Sequence, residues 1–170
     1  QADGSKRRVV IMGNIKLHSI SVGSLETMCY ILSNIETKEA IVVDPGAEGQ
    51  RILNEIEKQG LTLKAILLTH GHFDHIDAAK KIADARQVKI HAFKEEDSFL
   101  KDTNMNLSTM FGRPLSLTAD VLLEDLEVLN LIGTTIQVIH TPGHTKGSVC
   151  FYLKDKKILI CGDKETSAER

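Results

Sequence analysis

Hydrophobic and polar positions along this chain change their period in a way that separates two halves. At 15–20, 27–34 and 40–44, short apolar stretches bounded by polar turns predict three β-strands. The period then lengthens. Over 51–59, Ile52, Leu53 and Ile56 recur at helical spacing, and Gly60 follows as a stop signal. Residues 64–69 form an apolar run of the kind a buried parallel strand shows. Ile76, Ala79, Ile82 and Ala83 predict a second helix, with Lys80, Lys81 and Asp84 on its polar face. A short strand at 88–91, a short helix at 94–100 and a long irregular loop over 101–118 come next. Strands at 135–139, 149–153 and 157–161 complete an α/β pattern without internal repeats or low-complexity tracts.

Composition narrows the class but does not choose within it. At 170 residues, with 42% hydrophobic and 26% charged positions, the chain is long enough for one domain with a real core. A net charge of -2 argues against general attraction to nucleic acid or to an anionic membrane. No apolar run is long enough to span a bilayer and no signal-peptide core is visible, so the default compartment is cytoplasmic. Cys29, Cys150 and Cys161 are odd in number and lie in apolar sequence, which predicts reduced core residues. If its strand alternates, Cys161 faces away from any metal near Asp163. Residues 1–14 read as a leader or an appended extension, with the domain occupying 15–170. Within that leader, Lys6-Arg7-Arg8 is a solvated end rather than a nucleic-acid patch.

The chemistry is concentrated where the 64–69 strand ends, in His70-Gly71-His72-Phe73-Asp74-His75. Imidazole nitrogens suit zinc, iron or manganese, and Gly71 lets two rings turn toward one point from a tight loop. A solvated loop has no reason to gather three histidines. Asp74 and His75 follow at the helix start, where they can address a second point; the plainer role for Asp74 is a helix N-cap. A second cluster, His140-Thr141-Pro142-Gly143-His144-Thr145-Lys146-Gly147-Ser148, lies between two predicted strands. Its Pro-Gly turn presents His144, the third nitrogen that a mononuclear zinc site needs, whereas His140 ends a strand and reads as structural. A third strand ends in Gly162-Asp163, where the carboxylate either bridges two metals or makes a simple turn. Asp44, in Asp44-Pro45-Gly46, is assigned to structure rather than to ligation.

The order His-x-His-x-Asp-His, then Thr-Pro-Gly-His-Thr-x-Gly-Ser, then Gly-Asp resembles the metallo-β-lactamase superfamily, and within it the glyoxalase II-like (hydroxyacylglutathione hydrolase-like) branch. The likeness runs from about Ile15 to Asp163 and includes the loop from Asn106-Leu107-Ser108 to Phe111-Gly112. It implies an αββα sandwich with two metals at one edge. His70, His72 and His144 would hold the first metal; Asp74, His75 and Asp163 would belong to the second, with Asp163 bridging. Where family members continue with Thr-Leu-Phe, a Gly-Arg-x-Asp segment and a later Pro-Gly-His, this chain reads Lys164-Glu165-Thr166-Ser167 and ends at Arg170. The second half of the sandwich is therefore expected to be incomplete, leaving an apolar face that self-association would hide.

The function implied is metal-dependent hydrolysis of a thioester or related ester by a metal-bound hydroxide, with Asp74 orienting the nucleophile or accepting its proton. One or two zinc ions are expected, and iron or manganese suits the same donors. Three other readings share these motifs: a mononuclear iron enzyme of the persulfide dioxygenase type, a lactonase or β-lactamase-like hydrolase, and a truncated or engineered scaffold that binds metal without turnover. Met105, Met110 and Phe111, in the long loop, either line a substrate pocket or pin the loop to the core.

Overall fold

The computed structural model describes residues 7–162 and, for the backbone, 164–167. Two β-sheets pack face to face. The first holds seven strands in sequence order: β1 (Arg7–Met12), β2 (Ile15–Val22), β3 (Thr27–Asn34), β4 (Glu39–Val43), β5 (Thr62–Leu67), β6 (Ile90–Phe93) and β7 (Val121–Leu123). The second holds five: β8 (Val128–Leu131), β9 (Thr134–His140), β10 (Val149–Leu153), β11 (Ile158–Cys161) and β12 (Lys164–Ser167), all antiparallel.

The first sheet changes character where the hydrophobic period lengthens. Its strands are antiparallel from β1 to β4 and parallel from β4 to β7. Parallel neighbours need a crossover, and α1 (Gly49–Lys58) supplies it between β4 and β5. The next crossover runs through α2 (Phe73–Ile76) and α3 (Ala79–Arg86); the last contains α4 (Asp97–Lys101) and the long loop. Because β4 and β5 run the same way, Val43 and Leu67 end them side by side, and the loops that follow open at one edge of the sheet.

Strands β2 to β6 present apolar side chains on both faces because they separate two cores. Ile20, Val22, Ile31, Val42 and Ile66 pack against Ile52 and Ile56 of α1 and Ala79 and Ile82 of α3. Leu17, Tyr30, Ile41 and Leu67 turn the other way and meet Ile136, Val138, Phe151 and Ile160 of the second sheet. At ~1.5–3 kcal/mol for each large side chain taken out of water, these two layers dominate the folding free energy.

Two features bear on the expected architecture. Arg7–Met12, within the stretch read as a leader, form β1 and pair with β2 over six residues, so a polar N-terminal run conceals an edge strand. Among the described residues the layers are helix, sheet, sheet: the outer face of the second sheet carries no helix. That face is mixed rather than wholly apolar, since Thr135, Gln137, Ile139, Tyr152 and Leu159 alternate with the inward-facing residues.

Candidate metal centre

The site is built at the edge where β4 and β5 end. Asp44 follows β4 with a left-handed φ of 53° and is fully buried. Its carboxylate accepts from the Thr69 main-chain N–H at 2.8 Å and from the Thr69 hydroxyl at 2.6 Å, which fastens the loop after β5 to the end of β4. Gly46 is required here: a Cβ would collide with the Asp74 carbonyl oxygen.

His70 follows Thr69 and is 2% exposed. Its Nδ1 lies 3.1 Å from the Thr69 hydroxyl, while its Nε2 is buried with no hydrogen-bond partner among the described residues. A buried nitrogen left unpaired costs about 1–3 kcal/mol, and a metal ion is one way to recover that cost. Burial first, and then the neighbouring His75, His72 and His144, push the His70 pKa down to about 2, so the ring is held neutral, the form that ligates.

His72 and His144 complete a triad with His70, each contributing one ring nitrogen within 4.8 Å of the others. His72 Nδ1 and His144 Nε2 lie 3.2 Å apart. Two nitrogens bound tetrahedrally at ~2.0–2.1 Å from one zinc ion would sit roughly 3.3 Å apart, so the observed spacing fits a single ion. His70 closes the inner side of the triad, whereas His72 is half-buried and His144 exposed, which leaves the outer side open.

Asp74 and His75 lie beside the triad on α2. The capping role for Asp74 does not hold, because His72 occupies the N-cap position and no side chain caps this helix. Asp74 instead accepts a 2.7 Å hydrogen bond from the Thr27 hydroxyl, and its Oδ2 lies 3.6 Å from His75 Nε2. The other His75 nitrogen, Nδ1, is 2.8 Å from Asp44 Oδ2. Asp44, His70 and His75 thus form a second group of donors, all buried. Asp44, expected as a turn residue, both fastens the turn and supports a histidine, and it stands among these donors. Asp163 lies outside the described residues.

Glu96 carries a role that its sequence did not disclose. It is 1% exposed and accepts hydrogen bonds from both histidine-bearing loops. Burial, the largest influence, pushes its pKa up against the lowering effect of these bonds. Within Lys94-Glu95-Glu96 nothing distinguishes it from the exposed Glu95 beside it.

The cysteine expectation is corrected. Cys150 and Cys161 form a disulfide; continuing the Phe151↔Ile160 register by one residue places them opposite each other. Cys161 does not turn clear of the histidines, since with Cys150 it borders a small cavity that His70 and His144 also line. Cys29 remains a free, buried thiol, its pKa raised by burial beyond the ordinary thiol range. His140 is structural: its ring stacks on Phe93 at 4.5 Å and its Nε2 meets the Lys146 carbonyl at 2.9 Å.

Beside Asp74 opens a cavity of about 380 Å³ bounded by the turn after β2, the Gly46-Ala47-Glu48 segment, and Phe73, Phe111 and Arg113. Phe73 and Phe111 pack at 4.5 Å, so of the three apolar loop residues only Phe111 lines it. Met105 and Met110 are exposed. The loop is pinned instead by Asn106, which is fully buried: its side-chain amide donates to the Leu100 and Leu115 carbonyls, and its main-chain carbonyl accepts from the Phe73 N–H. A larger cavity of about 660 Å³ lies where β6 begins, at the opposite end of the parallel strands from the histidines.

Two packed sheets that bring three histidine nitrogens to one point at their strand ends, with a cavity alongside, define a metal-binding α/β enzyme scaffold. The chain belongs to the metallo-β-lactamase superfamily, a superfamily of metallohydrolases whose family description matches residues 22–169. It is 34% identical over 155 residues to hydroxyacylglutathione hydrolase GloC of Haemophilus influenzae, a match covering 88% of this chain and 71% of that protein. Among solved structures it is similar to the BLEG-1 B3 metallo-β-lactamase, with a TM-score of 0.79 and 36% identity over 84% of this chain and 69% of that one. It is also similar to TTHA1623 in a di-iron-bound form, with a TM-score of 0.68 and 27% identity over 83% of this chain and 69% of that one. No helix among the described residues is long and apolar enough to cross a membrane.

Proposed function

We propose that this chain is a thioester or ester hydrolase acting on a small acyl substrate, of the hydroxyacylglutathione hydrolase type. The observation that carries the reading is His70 Nε2, buried, unpaired among the described residues and facing the nitrogens of His72 and His144. His70, His72 and His144 would hold the first ion; Asp74 and His75 would serve a second. A zinc ion held there supplies a water of lowered pKa, about 7, and polarises a carbonyl oxygen.

The protein's own groups divide the remaining work. By accepting from Nδ1, Asp44 would fix the His75 tautomer whose Nε2 can ligate an ion shared with Asp74. Thr27 holds one Asp74 oxygen by a 2.7 Å bond, which orients the carboxylate to accept a proton from a nucleophile beside it. Phe73 and Phe111 form an apolar wall for the acyl group in the adjoining cavity, and Arg113, next to Asp77 at 3.4 Å, stands at its rim as a partner for a substrate carboxylate.

Zinc, iron and manganese all suit this donor set. Metal analysis after purification without added metal reports element and stoichiometry together. The decisive assay compares a hydroxyacylglutathione, a lactone, a β-lactam and a glutathione persulfide on the metal-loaded chain, following hydrolysis and oxygen consumption. The highest kcat/KM on the thioester is expected. Preference for the lactone or β-lactam would replace the thioester assignment, and oxygen uptake with the persulfide would favour the iron dioxygenase reading. Binding of metal without turnover on any of them would leave the scaffold reading. Self-association is tested separately by light scattering coupled to size exclusion.

A further inference from the structure

We propose that Glu96 is the positioning residue of the metal centre, a single buried carboxylate that holds the two ligand-bearing loops in one register. The inference rests on the metal reading above and concerns what keeps the ligands together. His70 and His72 sit on the loop after β5, in the first sheet; His144 sits on the loop between β9 and β10, in the second. Nothing in either loop's own sequence brings them to a common point.

Glu96 makes that connection by accepting three hydrogen bonds. Its Oε2 receives the Gly71 N–H at 2.6 Å, between the two histidines of the first loop, and the Thr145 hydroxyl at 2.9 Å, adjoining His144. Its Oε1 receives the Gly147 N–H at 3.1 Å, from the same second loop. Three donors converging on one side chain call for a group that only accepts, and a carboxylate is that group. The glycines close around it: a Cβ on Gly147 would press against Glu96 itself, and one on Gly71 would lie 2.9 Å from Leu100 and 3.0 Å from Phe99. One main-chain bond, from the Val149 N–H to the Thr69 carbonyl at 2.9 Å, also joins the loops and does not need Glu96. The carboxylate can therefore be altered without undocking the sheets.

The substitution Glu96→Gln preserves shape while replacing one acceptor oxygen by an NH2 group. Whichever way the amide lies, at least one N–H or O–H donor then faces another donor. Zinc affinity of the full chain, measured by competition with a chromophoric chelator, is expected to fall about 10–100-fold. The visible spectrum of the cobalt(II) form is expected to shift as ligand geometry loosens, while far-ultraviolet circular dichroism stays that of the wild type. Where Glu96→Gln does not fold, Thr145→Val removes one of the three donors and is expected to weaken zinc binding by a smaller factor. Wild-type zinc affinity and an unchanged cobalt spectrum in a folded variant would overturn the assignment. So would a lowered melting temperature of the metal-free variant with metal affinity intact, since that marks a structural role only. A wild-type chain that takes up neither zinc nor cobalt would overturn the metal reading itself, and this assignment with it.

Discussion

His75 Nδ1 lies 2.8 Å from Asp44 Oδ2, and both side chains are buried. The pair ties a turn in the first third of the chain to the helix that follows the histidine cluster. Asp44→Asn keeps the shape and removes the charge. Loss of such a carboxylate partner typically costs 10–100-fold in metal affinity. The expected outcome is selective loss of a second equivalent of metal, with the first retained, as read by elemental analysis across a chelator titration.

His72 offers the sharpest single test of the first site, because it contributes a nitrogen and little to the core. His72→Ala is expected to abolish metal retention through gel filtration while shifting the melting temperature of the metal-free chain only slightly. Retention of a full equivalent of metal, or full activity in a metal-free His72→Ala protein, would sink the metal assignment.

The disulfide between Cys150 and Cys161 closes a loop of sequence separation 11. Chain-entropy arguments assign a loop of about that length roughly 3 kcal/mol of stabilisation. For a domain of this size, reduction should lower the melting temperature by about 6–12 °C. Calorimetry with and without a phosphine reductant measures it, and identical transitions would show that the bond contributes nothing.

Histidine burial gives the stability a defined pH dependence. The pKa values of His18 and His91 both lie below the ordinary 6.5, chiefly because burial disfavours the charged ring. Glu55, 3.9 Å away, only partly offsets this at His18, and Arg7 and Gln59 contact its two nitrogens. Above pH 6.5 both rings are neutral whether the chain is folded or unfolded, so they add no pH dependence. As pH falls below 6.5 the unfolded chain takes up protons that the folded one resists, and stability is lost progressively toward the folded pKa values. Melting temperature should therefore decline from pH 7.5 to pH 5.5, and His18→Gln should flatten that decline.

Much of the first sheet was legible in local pattern. The strand at Thr27–Asn34 matches its predicted bounds, and α1 and β5 fall within two residues of theirs, because a strand or helix buried against a continuous core must repeat its apolar positions. β1 was hidden because its polar start and short apolar run carry no signal of their own; pairing with β2 makes it a strand. The edge strands β7 and β8 are short and half-exposed, and their pattern was equally weak.

The chain by itself marked the candidate donors: His70, His72 and His144 are suitable chemical groups in loops at strand ends, and Gly71 gives the first pair its turn. Only the tertiary structure decided how those donors are held. Asp44 lies 31 residues before His75, and Glu96 lies 25 residues after Gly71 and 49 before Thr145. Their partners are main-chain N–H groups, two hydroxyls and a ring nitrogen, groups that almost any loop offers. Spacing along the chain therefore cannot mark these carboxylates; they acquire their roles when two sheets pack and the buried donors need an acceptor.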